Sequence, residues 1–273
     1  MGSIMVTKQM MKKTQGKQAV TKTDLETAPI TQHAEQVDNH WQPARPRTLV
    51  DHAVEAILSA ASRGLILPGD RISEPDLVQR LGMSRVPIRE ALRILESQGI
   101  VSSEPYKGIR LMDISQQRLE QIIDVRIPLE TLACQRAIEL GHNGSAQIAR
   151  LNASVEELVL MEQRGDVYGF ASADTEFHRV LCSFANNPVL SKLWESIARQ
   201  LTVIFGLSTM GKSMEAIIEE HRQLVRVFSA GDIPQMQREI ELHVRVQALD
   251  VDYQKIIAER RRAASQAASQ AGL

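Results

Sequence analysis

From Ser115 to about residue 262 the chain carries apolar residues at helical spacing almost without a break. Gly141, Gly165, the Asn186-Asn187-Pro188 triplet, Gly211 and Gly231 punctuate it. The pattern predicts helices over about 116–140, 145–164, 166–185, 189–207, 213–229 and 234–262. A run of that kind folds as an all-α bundle. After it comes AASQAASQAGL, of low complexity, which predicts a flexible tail over 263–273.

The segment before the bundle is built differently. Residues 1–42 are polar, rich in Thr, Gln and Lys, and poor in apolar periodicity, so they predict a disordered tail. A compact unit is expected over 43–113. Val50, Val54, Ile57 and Leu58 form one helical stripe, closed by Gly64. A Pro68-Gly69 turn and a brief extended piece follow. Ser73 and Asp76 mark the start of a second helix, with Pro75 tolerated in its first turn. Ser84 opens a third, whose apolar face is Ile88, Ala91, Leu92 and Leu95 and whose adjacent face carries Arg85, Arg89 and Arg93. Gly99 ends it. IVSSE and IRLMD then flank PYKG, which reads as two strands and a tight turn.

Helix, turn, helix and hairpin make a winged helix-turn-helix. The second helix of such a pair enters the DNA major groove with its N-terminal residues on base edges. Arg85 and Arg89 stand where an arginine can pair with guanine O6 and N7, and Ser84 with the open N–H groups of the first turn can hold a phosphate. Lys107 and Gly108, at the hairpin tip, suit a wing lying close to the DNA backbone. Taken alone, a row of arginines is a solvated helix face; the order of elements and caps around this one favours DNA. The formal net charge over 273 residues is −1, so affinity for nucleic acid must come from such a local patch.

Composition excludes other classes. Cys134 and Cys182 are too few and too separated for a disulfide framework, which suits a reducing cytoplasm. No apolar run is long enough to span a bilayer, so no membrane role is expected. The N-terminal stretch has no apolar core of a secretory signal, and Val6 stands where a myristoylation motif wants Ser or Thr.

The bundle has a polar interior. Asp174 and His178 are four apart and share a face with Phe170, Leu181 and Cys182. His221 lies in the stripe Ile217, His221, Leu224, Phe228, and His243 in Met236, Ile240, His243, Gln247. Each histidine by itself reads better as a hydrogen-bonded core residue than as a ligand. Together, one carboxylate and three imidazoles are costly to bury unless something compensates them, and a divalent zinc, nickel or manganese ion would do so.

ILPGDRISEPDLVQRLGMSRVPIREALRILESQGIV followed by KGIRL, within about 48–113, resembles the DNA-binding domain of the GntR family of bacterial transcription regulators. That resemblance implies operator contacts for Arg85, Arg89 and Gly108. Pro75 stands at or near the place where some members carry a DNA-contacting arginine, so no contact is assigned there. The bundle, over 114–262, resembles the FCD ligand-sensing domain of the FadR-type branch. Asp174, His178, His221 and His243 match the positions that hold a divalent metal in many of its members. The resemblance further implies that Arg126, in DVRIPLE beside Ile122, Leu129 and Ala133, helps bind a carboxylate effector beside the metal, with Asn187 near the site. The competing reading of Arg126 is a surface ion pair with Glu130.

The expectation is therefore a mainly α protein: an N-terminal winged helix-turn-helix and a C-terminal FCD-like bundle. It would be a cytoplasmic bacterial regulator, nucleoid-associated when bound to DNA, more often a repressor in such a family. Its partners would be a palindromic double-stranded operator, a small carboxylate effector and a second copy of itself, since a homodimer's two-fold symmetry matches a palindrome. A sensor in which the metal itself is the signal is one rival. A metalloenzyme with a DNA-binding appendage is another, weakened because Glu176, two residues from both Asp174 and His178, faces away from them.

Overall fold

The computed structural model describes residues 48–104, 106 and 108–270. The tail expected over 1–42 and Lys107 lie outside them.

Helix α1 (Leu49–Ser62) begins at Thr48, whose hydroxyl accepts from Asp51 N–H while the Asp51 carboxylate accepts from Thr48 N–H, a reciprocal cap. Its inner stripe includes Val54, Ile57 and Leu58. Strand β1 (Arg71–Ile72) leads to α2 (Glu74–Leu81), capped by Ser73, and α3 (Arg85–Ser97), which buries Ile88, Ala91, Leu92 and Leu95 as its spacing predicts. Strands β2 (Val101–Glu104) and β3 (Gly108–Leu111) form the hairpin, with Val101 opposite Leu111. The extended piece after Pro68-Gly69 is β1, which pairs with the far edge of β3, giving the order β1-β3-β2. This is a winged helix with a three-stranded sheet.

Seven helices follow: α4 (Gln116–Glu139), α5 (Ser145–Gln163), α6 (Val167–Ser183), α7 (Pro188–Ser208), α8 (Met214–Ala230), α9 (Ile233–Leu249) and α10 (Tyr253–Gln270). The expected helix over 234–262 is thus two. The chain breaks at Asp252, whose carboxylate accepts from Lys255 N–H and whose carbonyl accepts from Ile256 N–H. That is an N-cap without the Gly or Pro that would have announced a stop. Helix α10 also runs past residue 262, as far as Gln270, into the stretch expected to be flexible, because alanine favours helix even where the surface is exposed.

Winged helix and bundle share a continuous apolar core that includes Ile57, Leu95, Trp194 and Leu201. At the centre of this seam α1 crosses α7 at Gly206. A Cβ there would come within 2.7 Å of the Ser62 carbonyl oxygen. Ser62 Oγ donates across the crossing to Thr202 O at 3.2 Å. Polar contacts flank it: Arg118 donates to Gln200 Oε1 at 2.6 Å, and Gln200 Nε2 donates to Gln98 O at 2.7 Å. Cys134 and Cys182 are buried free thiols. No described helix is long and apolar enough to cross a membrane.

Candidate DNA-binding face and metal centre

The apolar side of α3 is fixed in the core, which leaves Arg85, Arg89 and Arg93 exposed on one rigid surface. Ser84 is extended at the N-cap, exposed, and its hydroxyl makes no capping bond to the first turn. Arg89 Nε donates to Glu74 Oε2 of α2 at 2.8 Å. Both groups are well hydrated, and such surface pairs contribute little, so the pairing holds Arg89 in place without consuming it. At the wing, Gly108 has φ +77°, and the Arg71 guanidinium lies 3.1 Å from where its Cβ would stand. A larger residue would be strained and would displace that arginine. Arg71 was not foreseen as part of this face; only its pairing opposite Arg110 in the sheet brings it there. Pro75 occupies the first turn of α2, consistent with a helix start.

The second cluster lies inside the bundle. Asp174 and His178 come from α6, His221 from α8 and His243 from α9; all are buried. The nitrogen donors of the three histidines lie within 4.8 Å of one another. His243 Nε2 is 3.1 Å from His178 Nε2, and Asp174 Oδ1 is 3.7 Å from His178 Nε2 and 3.6 Å from His221 Nε2. Three imidazole nitrogens thus converge, with the Asp174 carboxylate beside two of them.

The outer nitrogens argue for the same use. His178 Nδ1 donates to Glu130 Oε2 at 2.8 Å, and His221 Nδ1 donates to Ile217 O at 2.8 Å. In a neutral imidazole that leaves the lone pair on Nε2, aimed inward. His221 Nε2 has no hydrogen-bond partner among the described residues. A metal-ligating histidine ordinarily has its other N–H held by a carboxylate or carbonyl in this way. The residues therefore fit a cation. Burial opposes the charged form of all three histidines. It prevails at His178 and, aided by the neighbouring imidazoles and Arg126, at His243; at His221 the Asp174 carboxylate outweighs it and the pKa rises.

Glu130 was not foreseen from sequence. The buried face of α4 is Leu119, Ile123, Arg126, Glu130, Ala133, Cys134 and Ala137, one position offset from the expected Ile122 and Leu129, which are only partly buried. Arg126 Nε donates to Glu130 Oε1 at 2.7 Å, and Arg126 Nη2 lies 3.4 Å from His178 Nε2. The Arg126–Glu130 pair exists, but at the centre of the bundle rather than on a helix surface. Burial would raise the Glu130 carboxyl; Arg126 and His178 outweigh it and hold the pKa at about 2. The signal available in sequence was an acid four residues from Arg126 among small apolar residues. Trp194 and Phe205 of α7 cover the guanidinium, at 5.7 and 5.1 Å from its carbon to the ring centres.

Asn187 has a role that its sequence context did not reveal. It caps α7, its Oδ1 accepting from Val189 N–H and Leu190 N–H at 3.1 and 3.2 Å. Glu176 is exposed and paired with Arg179, away from the cluster.

One family model, described as bacterial regulatory proteins of the gntR family, matches residues 49–111, and a second, the FCD domain, matches 121–246. Over 173 residues the chain is 31% identical to YdhC of Bacillus subtilis, an HTH-type transcriptional regulator; the match spans 59% of this chain and 72% of that protein. The chain belongs to the GntR family. The FCD match agrees with the FadR-type branch. This GntR-family regulator is also 25% identical over 197 residues to a probable D-xylose utilization operon repressor of Paenarthrobacter nicotinovorans, across 72% of this chain and 86% of that one. In fold it resembles McbR/YncC of E. coli, with TM-score 0.59 and 21% identity over 79% of this chain and 98% of the other. Its relatives and fold are those of transcriptional regulators and not of enzymes.

Proposed function

We propose that this GntR-family protein is a cytoplasmic repressor whose operator binding is controlled by a small carboxylic acid bound beside a divalent metal in the FCD domain. The observation that carries the reading is the convergence of His178, His221 and His243, with Asp174 beside the first two and with Glu130 and Ile217 O orienting two of the imidazoles. These four side chains would hold zinc, nickel or manganese, and the ion would supply a Lewis-acid position for a carboxylate oxygen. Arg126 would supply the charge-assisted partner for the same carboxylate. The cap at Asn187 uses only its side-chain oxygen and leaves the amide donor for the acid. Nucleoid association follows only from operator binding.

Ser84, Arg85, Arg89, Lys107 and Gly108 are the proposed contacts with a palindromic operator, joined by Arg71. A dimer fits the surface of the bundle. Val125 and Leu132 on α4, and Val189 and Leu193 on α7, are large apolar side chains each between 46% and 69% exposed. A second copy covering these side chains would remove them from water and supply the second winged helix.

A metal-sensing reading has one observation in its favour: the four candidate ligands are all at most 3% exposed, a closed centre suited to an ion alone. Gel shifts with DNA flanking the gene separate the two. Release by an organic acid at constant metal supports the proposal. Affinity that follows free metal and ignores every acid supports the rival.

A further inference from the structure

Glu130 and the Ile217 carbonyl orient His178 and His221, and the outer nitrogen of His243 is left over. That nitrogen, Nδ1, faces Glu220 Oε2 of α8 at 3.9 Å, and neither atom has a hydrogen-bond partner among the described residues. Two buried polar atoms turned toward each other and left about 1 Å short of a hydrogen bond are unusual, because such groups are nearly always paired. The other carboxylate oxygen of Glu220, Oε1, accepts from Lys212 Nζ, in the link between α7 and α8. Lys212 thus holds one end of the carboxylate while the other points at the imidazole.

The positions of the protons account for the gap. His178 Nδ1 donates to Glu130, so in its neutral form His178 Nε2 is an acceptor. Arg126 Nη2 approaches the same lone pair at 3.4 Å. In the 3.1 Å contact between the two Nε2 atoms, His243 is therefore the donor. Its single proton lies on Nε2, toward the centre, and its Nδ1 is bare. A bare nitrogen and a carboxylate oxygen are both acceptors, and nothing draws them together.

Coordination reverses this. A nitrogen that binds a metal carries no proton, and the other ring nitrogen then bears the N–H. A buried N–H at Nδ1 requires an acceptor, and Glu220 Oε2 already faces it unpaired.

We propose that Glu220 is the positioning residue of His243: when Nε2 takes the ion, one proton leaves Nε2 and one arrives on Nδ1 through water, and Glu220 Oε2 accepts the new hydrogen bond while Lys212 keeps Oε1. The charge of the imidazole is unchanged. The inference rests on the metal reading above and supplies the third imidazole with the outer partner that the other two have in Glu130 and Ile217.

The test measures zinc binding by the full-length protein against a competing chelator. Glu220→Ala is expected to lower the affinity about tenfold, the lower end of what losing an outer partner costs. Glu220→Gln keeps an acceptor oxygen and recovers most of that loss. Glu219→Ala, next to it but exposed and paired with Arg222 and Arg226, changes nothing. NMR of isotope-labelled histidines follows the proton, with the His243 signals assigned from their absence in His243→Gln. In the parent they report N–H at Nε2 before zinc and at Nδ1 after it. In zinc-loaded Glu220→Ala the Nδ1 proton of His243 exchanges rapidly with water, while that of His178, held by Glu130, does not. A merely structural role for Glu220 would not move this signature. Parent-like zinc affinity in Glu220→Ala overturns the role of Glu220. A His243 that carries its proton on the same nitrogen with and without zinc overturns the switch, and the parent alone shows it. A parent that binds no zinc contradicts the metal reading, and this inference with it; that result is read before any variant is made.

Discussion

Glu130 and His178, on different helices and closed to solvent, are joined by a 2.8 Å hydrogen bond from imidazole Nδ1 to carboxylate Oε2. The bond fixes which nitrogen of His178 faces the centre. Arg126, on the other oxygen of Glu130, keeps that acceptor ionised. Glu130→Gln is expected to lower metal affinity by about 10–100-fold, the usual cost of losing such an outer partner. Competition against a chromophoric chelator measures it, and an unchanged affinity would remove Glu130 from the centre.

Arg126 has two tasks at once, so its loss should not be confined to the effector. Arg126→Ala leaves Glu130 charged, buried and without its main counter-charge. The expected cost is about 3–5 kcal/mol of stability, together with reduced metal content. Denaturant unfolding and elemental analysis of one preparation check both. A variant as stable as the parent would show that Glu130 is balanced by another group.

At the domain seam, Gly206→Ala should be destabilising although alanine is the better helix former. The added methyl group meets Ser62 across the α1–α7 crossing. Overpacking of this kind costs about 1–3 kcal/mol. A lowered melting temperature with unchanged metal content is the expected result; a neutral or stabilised variant would mean that α1 yields easily.

On the DNA face, Arg85→Ala and Arg89→Ala are each expected to weaken specific operator binding by about 1–3 kcal/mol and leave the melting temperature unaltered. Glu74→Gln, which releases Arg89 from its carboxylate partner, should raise affinity for non-specific DNA modestly. Gel shifts at several salt concentrations distinguish these effects. Parent-like operator binding by Arg89→Ala would remove α3 as the reading helix.

Much of this was legible in the residues. The cap at Ser73, the helix start at Ser84 and the stripe Ile88, Ala91, Leu92, Leu95 define two helices of the DNA-binding unit. The stripes through His178, His221 and His243 aimed three imidazoles inward. What sequence did not disclose are relationships between elements. Gly206 is an ordinary helical glycine until α1 lies on it. Tyr253 could not be placed while α9 and α10 were read as one helix, because the break depends on an Asp252 cap that no glycine or proline marks. Glu130 was hidden because an acid four residues from an arginine is usually a surface pair; only packing put both inside.

The most direct test of the account is the metal content of the full-length protein, purified without chelators or a metal-affinity step and measured by inductively coupled plasma mass spectrometry. One divalent ion per chain is the predicted result. Folded protein that carries none, and takes up none when zinc, nickel or manganese is supplied, would contradict it and leave Asp174, His178, His221 and His243 as a hydrogen-bonded polar core.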